Sequence, residues 1–172
     1  MVSVNMRWAL LLLLLAFLSG CGDLNASNSD KHVVGQLAPN FTLSDTLGTS
    51  VTLASVLTGT AVDGVVLYFT MWCPICEVDM NSIQSFQIPN FPNVRFFAVD
   101  YVSGTVAEAR NAELNNGFAD SGFTVLADTA QTVLNRYHAS MGTTVVIDKT
   151  GVIQMKEEYK SDRLTATLNA LP

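Results

Sequence analysis

Cysteine is scarce in this chain, with three in 172 residues. A scaffold stapled by disulfides needs more than that. Cys73 and Cys76, only two residues apart, therefore read as a reactive pair rather than a structural one. There is no second cysteine pair, and the only histidines are His32 and His138. A zinc centre built on the C-x-x-C half-site would have nothing else to complete it, so no metal is expected. Cations are few and scattered: nine Lys and Arg stand against fifteen Asp and Glu, giving a net charge of -6 with no basic block. That excludes nucleic acid as a partner and leaves a mild acidity that serves solubility. The apolar run at 8–18 falls short of the roughly 20 residues that span a bilayer. No repeat or second domain is visible, and this length predicts one domain. With 49% hydrophobic residues the chain has enough apolar surface for a core.

A basic residue, Arg7, precedes that apolar run, and small residues close it. This is the pattern of a secretory signal. Its end, Leu18-Ser19-Gly20-Cys21, resembles the bacterial lipobox. The resemblance implies a lipoprotein signal peptide over 1–20 and a lipid attached to Cys21, with enough acyl chains for a stable membrane anchor. The alternative is an ordinary cleaved signal with an incidental cysteine. Gly22, rather than an acid, follows Cys21. By analogy with Gram-negative sorting this favours the outer membrane, on its periplasmic side. Residues 21–34, rich in Asn, Ser and Asp with His32 among them, read as a flexible tether.

The remainder, 35–172, reads as one domain. Phe41 and Leu43, then Val51 and Leu53, alternate with polar neighbours around turn chemistry at 44–48, which predicts an N-terminal hairpin. Residues 54–57 suit one helical turn. The run 65–69 is apolar, β-branched and aromatic throughout, as a strand buried on both faces requires. Pro74 suits the first turn of a helix, which is expected to stop at Pro89. Strands are expected at 94–99 and 124–126. A helix over 104–116 is expected from the spacing of Val106, Ala109 and Leu114, and one capped by Asp128 or Thr129 is expected to run through Tyr137. Residues 143–147 and 152–155 form a closing hairpin about the turn at 148–151. A last helix at 161–171 aligns Leu164, Leu168 and Leu171 on one face. Strands alternating with helices predict an α/β fold.

Four stretches carry a family resemblance. They are Gly35-x-x-Ala38-Pro39-x-Phe41-x-Leu43 with Gly48 and Leu53; Trp72-Cys73-Pro74-Ile75-Cys76; Val125-Leu126-x-Asp128 up to Tyr137; and Thr143-Thr144-Val145-Val146-Ile147-Asp148-x-x-Gly151. In this order they resemble the thioredoxin-like superfamily, in its redoxin and membrane-anchored thiol–disulfide oxidoreductase branch, which shades into the AhpC/TSA-related peroxiredoxins. The resemblance implies a central mixed sheet flanked by helices, with the N-terminal β-hairpin added. It also implies a redox-active Cys73–Cys76 disulfide and no other cofactor.

In dithiol exchange a thiolate attacks a disulfide sulfur and a neighbouring thiol resolves the mixed disulfide. Cys73, at a helix N-terminus, is placed where its anion is favoured and is assigned as nucleophile; Cys76 is the resolving thiol. Asp79, three residues beyond Cys76, shares a helix face with it. It stands where relatives often carry a Glu that handles protons; a solvated helix acid is the alternative. Trp72, Pro74, Met141 and Gly142 are the substrate-facing candidates. Gly142 stands where the family has a cis-proline, which puts the edge that pairs with substrate in question. The expected activity is an extracytoplasmic thiol–disulfide oxidoreductase acting on thiols and disulfides of envelope proteins and supplied by a membrane electron donor. Two alternatives stand beside it. One is a thiol peroxidase, because Thr70-x-x-Cys73 resembles peroxiredoxins although Val66 replaces their proline. The other is a copper-binding or metallochaperone-like module using Cys73, Cys76 and His138.

Overall fold

The computed structural model describes residues 33–158 and 163–172. The expected signal peptide, the lipidated Cys21 and most of the tether, His32 included, lie outside the described residues.

The domain is one seven-stranded mixed sheet with helices on both faces. Its strands are β1 (Thr42–Asp45), β2 (Ser50–Thr52), β3 (Gly64–Thr70), β4 (Val94–Asp100), β5 (Phe123–Ala127), β6 (Thr143–Asp148) and β7 (Ile153–Glu158). They lie in the order β2-β1-β5-β4-β3-β6-β7. β3, β4 and β5 are mutually parallel; β6 runs antiparallel to β3, and β7 to β6. The N-terminal hairpin joins the sheet by antiparallel pairing of β1 with β5, at Ser44 with Ala127 and Asp45 with Leu126. The helices are α1 (Leu53–Leu57), α2 (Pro74–Ser82), α3 (Val106–Asn115), α4 (Thr132–Arg136) and α5 (Leu164–Asn169). This is the thioredoxin-like α/β arrangement that the motif order implies.

β3 organises the rest. All seven of its residues are buried, and alternation sends them into two cores. Val66 and Tyr68 pack with Cys76, Met80, Phe118, Leu164 and Leu168, whereas Val65, Leu67 and Phe69 pack with Phe41, Leu53, Val133 and Tyr137. Each such aliphatic or aromatic side chain contributes about 1.5–3 kcal/mol when taken out of water. Gly64 opens the strand close beside its partner β6: a Cβ there would sit 2.6 Å from the Ile147 carbonyl oxygen.

Two local expectations are corrected. Helical winding does not stop at Pro89. α2 passes into a π-helical turn at Ile83–Gln87 and then a 3-10 turn at Ile88–Asn90. Pro89 sits at the start of that last turn, where its missing N–H costs no hydrogen bond. In α3, Leu114 is 50% exposed and Glu113 is buried. The Glu113 carboxylate accepts from the Thr46 hydroxyl at 2.6 Å and pairs with Arg110 at 2.6 Å, and this pairing is what makes its burial tolerable. α4 is a single short turn. Asp128 nevertheless caps it, accepting from the N–H groups of Thr132, Val133 and Leu134 at 2.8–2.9 Å. In α5, Leu164 and Leu168 are buried and Leu171 packs against the same core.

Candidate active site

Three segments meet at the carboxyl end of β3: the chain running from β3 into α2, the loop after β4, and the turn before β6. The register explains the convergence. β4 runs alongside β3 and ends level with it, Thr70 opposite Asp100. β6 runs the other way, so its beginning, Thr144, lies opposite Tyr68.

The first segment carries the cysteines. Cys73 and Cys76 form a disulfide with their Cα atoms 5.1 Å apart. Cys73 is the N-cap of α2, and its Sγ accepts the Cys76 N–H at 3.2 Å. Pro74 occupies the first turn, which needs no donor from it. Cys73 is half-buried and Cys76 is fully buried. The unsatisfied N–H groups and positive end of α2 therefore face the sulfur that solvent can reach. Met71 and Ile75, on the same segment, and Val102, on the loop after β4, are exposed apolar side chains.

Trp72 is held in the left-handed region, at φ 58°. Its N–H donates to the Thr70 hydroxyl at 3.0 Å, its indole N–H donates to Asp100 at 2.9 Å, and its ring lies against Phe118. Asp100 is fully buried. It also accepts from the N–H groups of Val102 and Ser103 and from the Ser103 hydroxyl, so one carboxylate ties the indole to the loop after β4. The sequence reading missed Asp100. The available signal was an acid closing an apolar strand at the level of the dithiol. Thr70, the residue of the peroxiredoxin-like spacing, is buried with its hydroxyl on the Trp72 N–H.

The third segment is the turn at 138–143. Tyr137 anchors it: its hydroxyl donates to the Pro39 carbonyl at 2.8 Å, and burial pushes its pKa well above the usual phenol value, so it stays neutral. Ser140 N–H donates to the Thr143 hydroxyl, and Thr143 N–H returns to the Ser140 carbonyl. Gly142 has φ 76°, and its N–H donates to the Phe69 carbonyl at 2.9 Å. Proline fits neither feature, because it fixes φ near -65° and has no N–H. This turn brings Met141 Sδ to 3.2 Å from Cys73 Sγ.

Asp79 is partly buried on α2 and accepts from the Tyr68 hydroxyl at 3.2 Å, a partner the sequence reading did not name. The structure thus gathers Trp72, Cys73, Pro74, Cys76, Met141 and Gly142 at one end of β3, with Asp79 further along α2. His138 is exposed. Among the described residues no three His, Cys, Asp or Glu converge as metal ligands. His138, exposed, therefore does not join the cysteine pair in such a group, contrary to the copper-site expectation.

Solved structures share this fold. The thioredoxin domain of a thiol-disulfide oxidoreductase from Bacteroides vulgatus matches with a TM-score of 0.65 at 18% identity, over 81% of this chain and 99% of that one. A peroxiredoxin-like protein from Aquifex aeolicus matches with a TM-score of 0.65 at 15% identity, over 83% and 89%. A secreted Mycobacterium tuberculosis disulfide oxidoreductase homologous to E. coli DsbE matches with a TM-score of 0.57 at 23% identity, over 76% and 96%. At these identities the likeness establishes the fold. No curated protein matches the chain by sequence. The model of the AhpC/TSA family matches residues 34–156, which include the whole dithiol segment and the strands beneath it. The chain, a thioredoxin-like fold carrying a Cys73–Cys76 disulfide, belongs to the AhpC/TSA family.

Proposed function

We propose that the protein is an extracytoplasmic thiol–disulfide oxidoreductase that reduces disulfides in envelope proteins. One observation carries the reading: the two sulfurs of a single disulfide are unequal. Cys73 is reachable and faces the start of α2, whereas Cys76 is buried behind it. In the reduced protein the Cys73 thiolate attacks one sulfur of a substrate disulfide. That S–S bond breaks and the other substrate sulfur leaves as a thiolate. Cys76 then gives up its proton and attacks Cys73 Sγ, which releases the second substrate thiolate and restores the Cys73–Cys76 disulfide. Two electrons pass to the substrate, and a membrane electron donor must return them. Asp79, hydrogen-bonded to Tyr68, is the proton-handling group of this reading. Trp72, Pro74 and Met141 form the surface that meets substrate, whereas Gly142, expected there from the sequence, is buried and fastens the turn that carries Met141. The leader supports a lipoprotein acylated at Cys21 and facing the periplasm, on the outer membrane in a Gram-negative cell.

The test is a redox titration of the full-length chain in thiol buffers, followed by substrate trapping. A reversible two-electron couple is expected, and a potential near about -270 mV fits a reductant while one near about -120 mV reverses the direction of flow. Cys76→Ser is expected to accumulate mixed disulfides and Cys73→Ser is not. The opposite pattern overturns the assignment. Hydrogen peroxide turnover with a simple thiol donor, without trapped protein partners, would favour the peroxidase reading that Thr70 suggests.

A further inference from the structure

The contact between Met141 Sδ and Cys73 Sγ carries no proton or electron in dithiol exchange. A thioether carries no exchangeable proton, and it cannot donate a hydrogen bond to a thiolate. Yet the turn before β6 is pinned so that Met141 Sδ meets the reactive sulfur, through the Gly142 N–H on Phe69 and the Ser140–Thr143 pair. With Cys76 Sγ bonded to Cys73 Sγ, and Met141 Sδ 3.2 Å from Cys73 Sγ, three sulfur atoms are gathered at one place.

We propose that the reduced protein binds one Cu(I) ion through Cys73 Sγ, Cys76 Sγ and Met141 Sδ. Thiolate and thioether ligands are soft and select Cu(I) over harder cations. Zinc is poorly served, since it seeks four ligands drawn from Cys, His and carboxylates, and no third such residue converges on the pair among the described residues. Two thiolates and one Cu(I) leave a single negative charge, which sits at the positive end of α2 beside the Cys76 N–H.

A dithiol reductant gives two electrons and two protons to the Cys73–Cys76 disulfide and becomes a disulfide itself. Cu(I) then displaces the two thiol protons, forms two copper–thiolate bonds and takes a lone pair from Met141 Sδ. Copper keeps its oxidation state. The proposal needs a reducible disulfide, as the exchange reading does, but no protein substrate.

The test is an anaerobic titration of the full-length chain, reduced with dithiothreitol and then freed of it, with Cu(I) competed by a chromophoric bicinchoninate chelator. X-ray absorption at the copper edge counts the sulfur neighbours. One Cu(I) per chain with three sulfurs is expected. Met141→Leu, a volume-conserving swap that folds generally tolerate, is expected to leave two sulfurs. It should also weaken binding at least about tenfold, the lower end of what even outer-shell changes cost a metal site. Absence of binding, two sulfurs in the wild type, or equal affinity in Met141→Leu would overturn the site. A chain that traps substrates but fails these tests loses the copper site and keeps the exchange reading. A chain that binds copper through three sulfurs but traps nothing does the reverse.

Discussion

Gly142 and Asp100 show how much of this site depends on backbone that carries no reactive group. Gly142 takes a left-handed conformation and gives its N–H to Phe69, so the turn presenting Met141 is fastened to the end of β3. Restoring the family's residue would not restore the family's geometry. Gly142→Pro loses a hydrogen bond, about 1 kcal/mol, and forces a conformational change costing of order 1–3 kcal/mol. We expect a loss of about 2–4 kcal/mol in urea unfolding, read as a lower midpoint at unchanged slope. A midpoint equal to the wild type's would mean that the turn accepts a proline without strain. At position 100 the lesson differs. A buried carboxylate is tolerated because two N–H groups, a hydroxyl and an indole all donate to it. Composition and periodicity count Asp100 as one more acid after a strand, and only the fold reveals that it holds Trp72.

Among the elements, the hairpin of β6 and β7 is held at its turn by one carboxylate. Asp148 ends β6, and its carboxylate accepts from the Thr150 N–H and hydroxyl, the Val152 N–H and the Gln154 amide. Burial raises the pKa of this carboxyl, but those hydrogen bonds together outweigh burial and hold it below the usual value. A folded-state pKa below the unfolded one stabilises the protein fully above the unfolded value, about 3.9. That stabilisation is lost as pH falls from there through the folded-state pKa. Asp148→Asn should therefore flatten the acid limb of stability below about pH 4 while changing its slope little between pH 5 and 7. Thermal unfolding from pH 7 to pH 2 reads this directly, and an unchanged acid limb would show that the turn is not the titrating element. Asp148-Lys149-Thr150-Gly151 was legible as a turn from residue types alone. The helices were less so. The exposure of Leu114 and the burial of Glu113 follow from a partner on the β1–β2 turn, Thr46, that is distant in sequence. The π-helical turn before Pro89 has no compositional mark.

For the whole molecule, the sequence carried the fold further than it carried the site. Continuous apolar strands, the Asp128 cap and the Pro74 helix start are local signals, and each recurs in the structure. The attachment of the N-terminal hairpin to β5, and the meeting of Met141 with Cys73 across 68 residues, are products of strand order that no local pattern encodes. The same distinction governs the membrane question, which rests on the leader alone. Eleven residues, 22–32, lie between Cys21 and Val33, the first described residue, and that stretch can span at most about 43 Å. If Cys21 is acylated, the dithiol works within that distance of the bilayer plus the width of its own domain. Its substrates would then be proteins that come close to the membrane surface. Two or more acyl chains anchor stably, whereas none should leave an acidic chain in solution. Cys21→Ser is accordingly expected to move the protein from the membrane fraction to the soluble fraction of a cell extract and to abolish labelling by a fatty-acid probe. It should leave the Cys73–Cys76 potential unchanged, because that couple is set by α2 and its neighbours. Continued membrane sedimentation of Cys21→Ser without label would instead mean that the apolar leader is retained, and with it a different geometry of access to the dithiol.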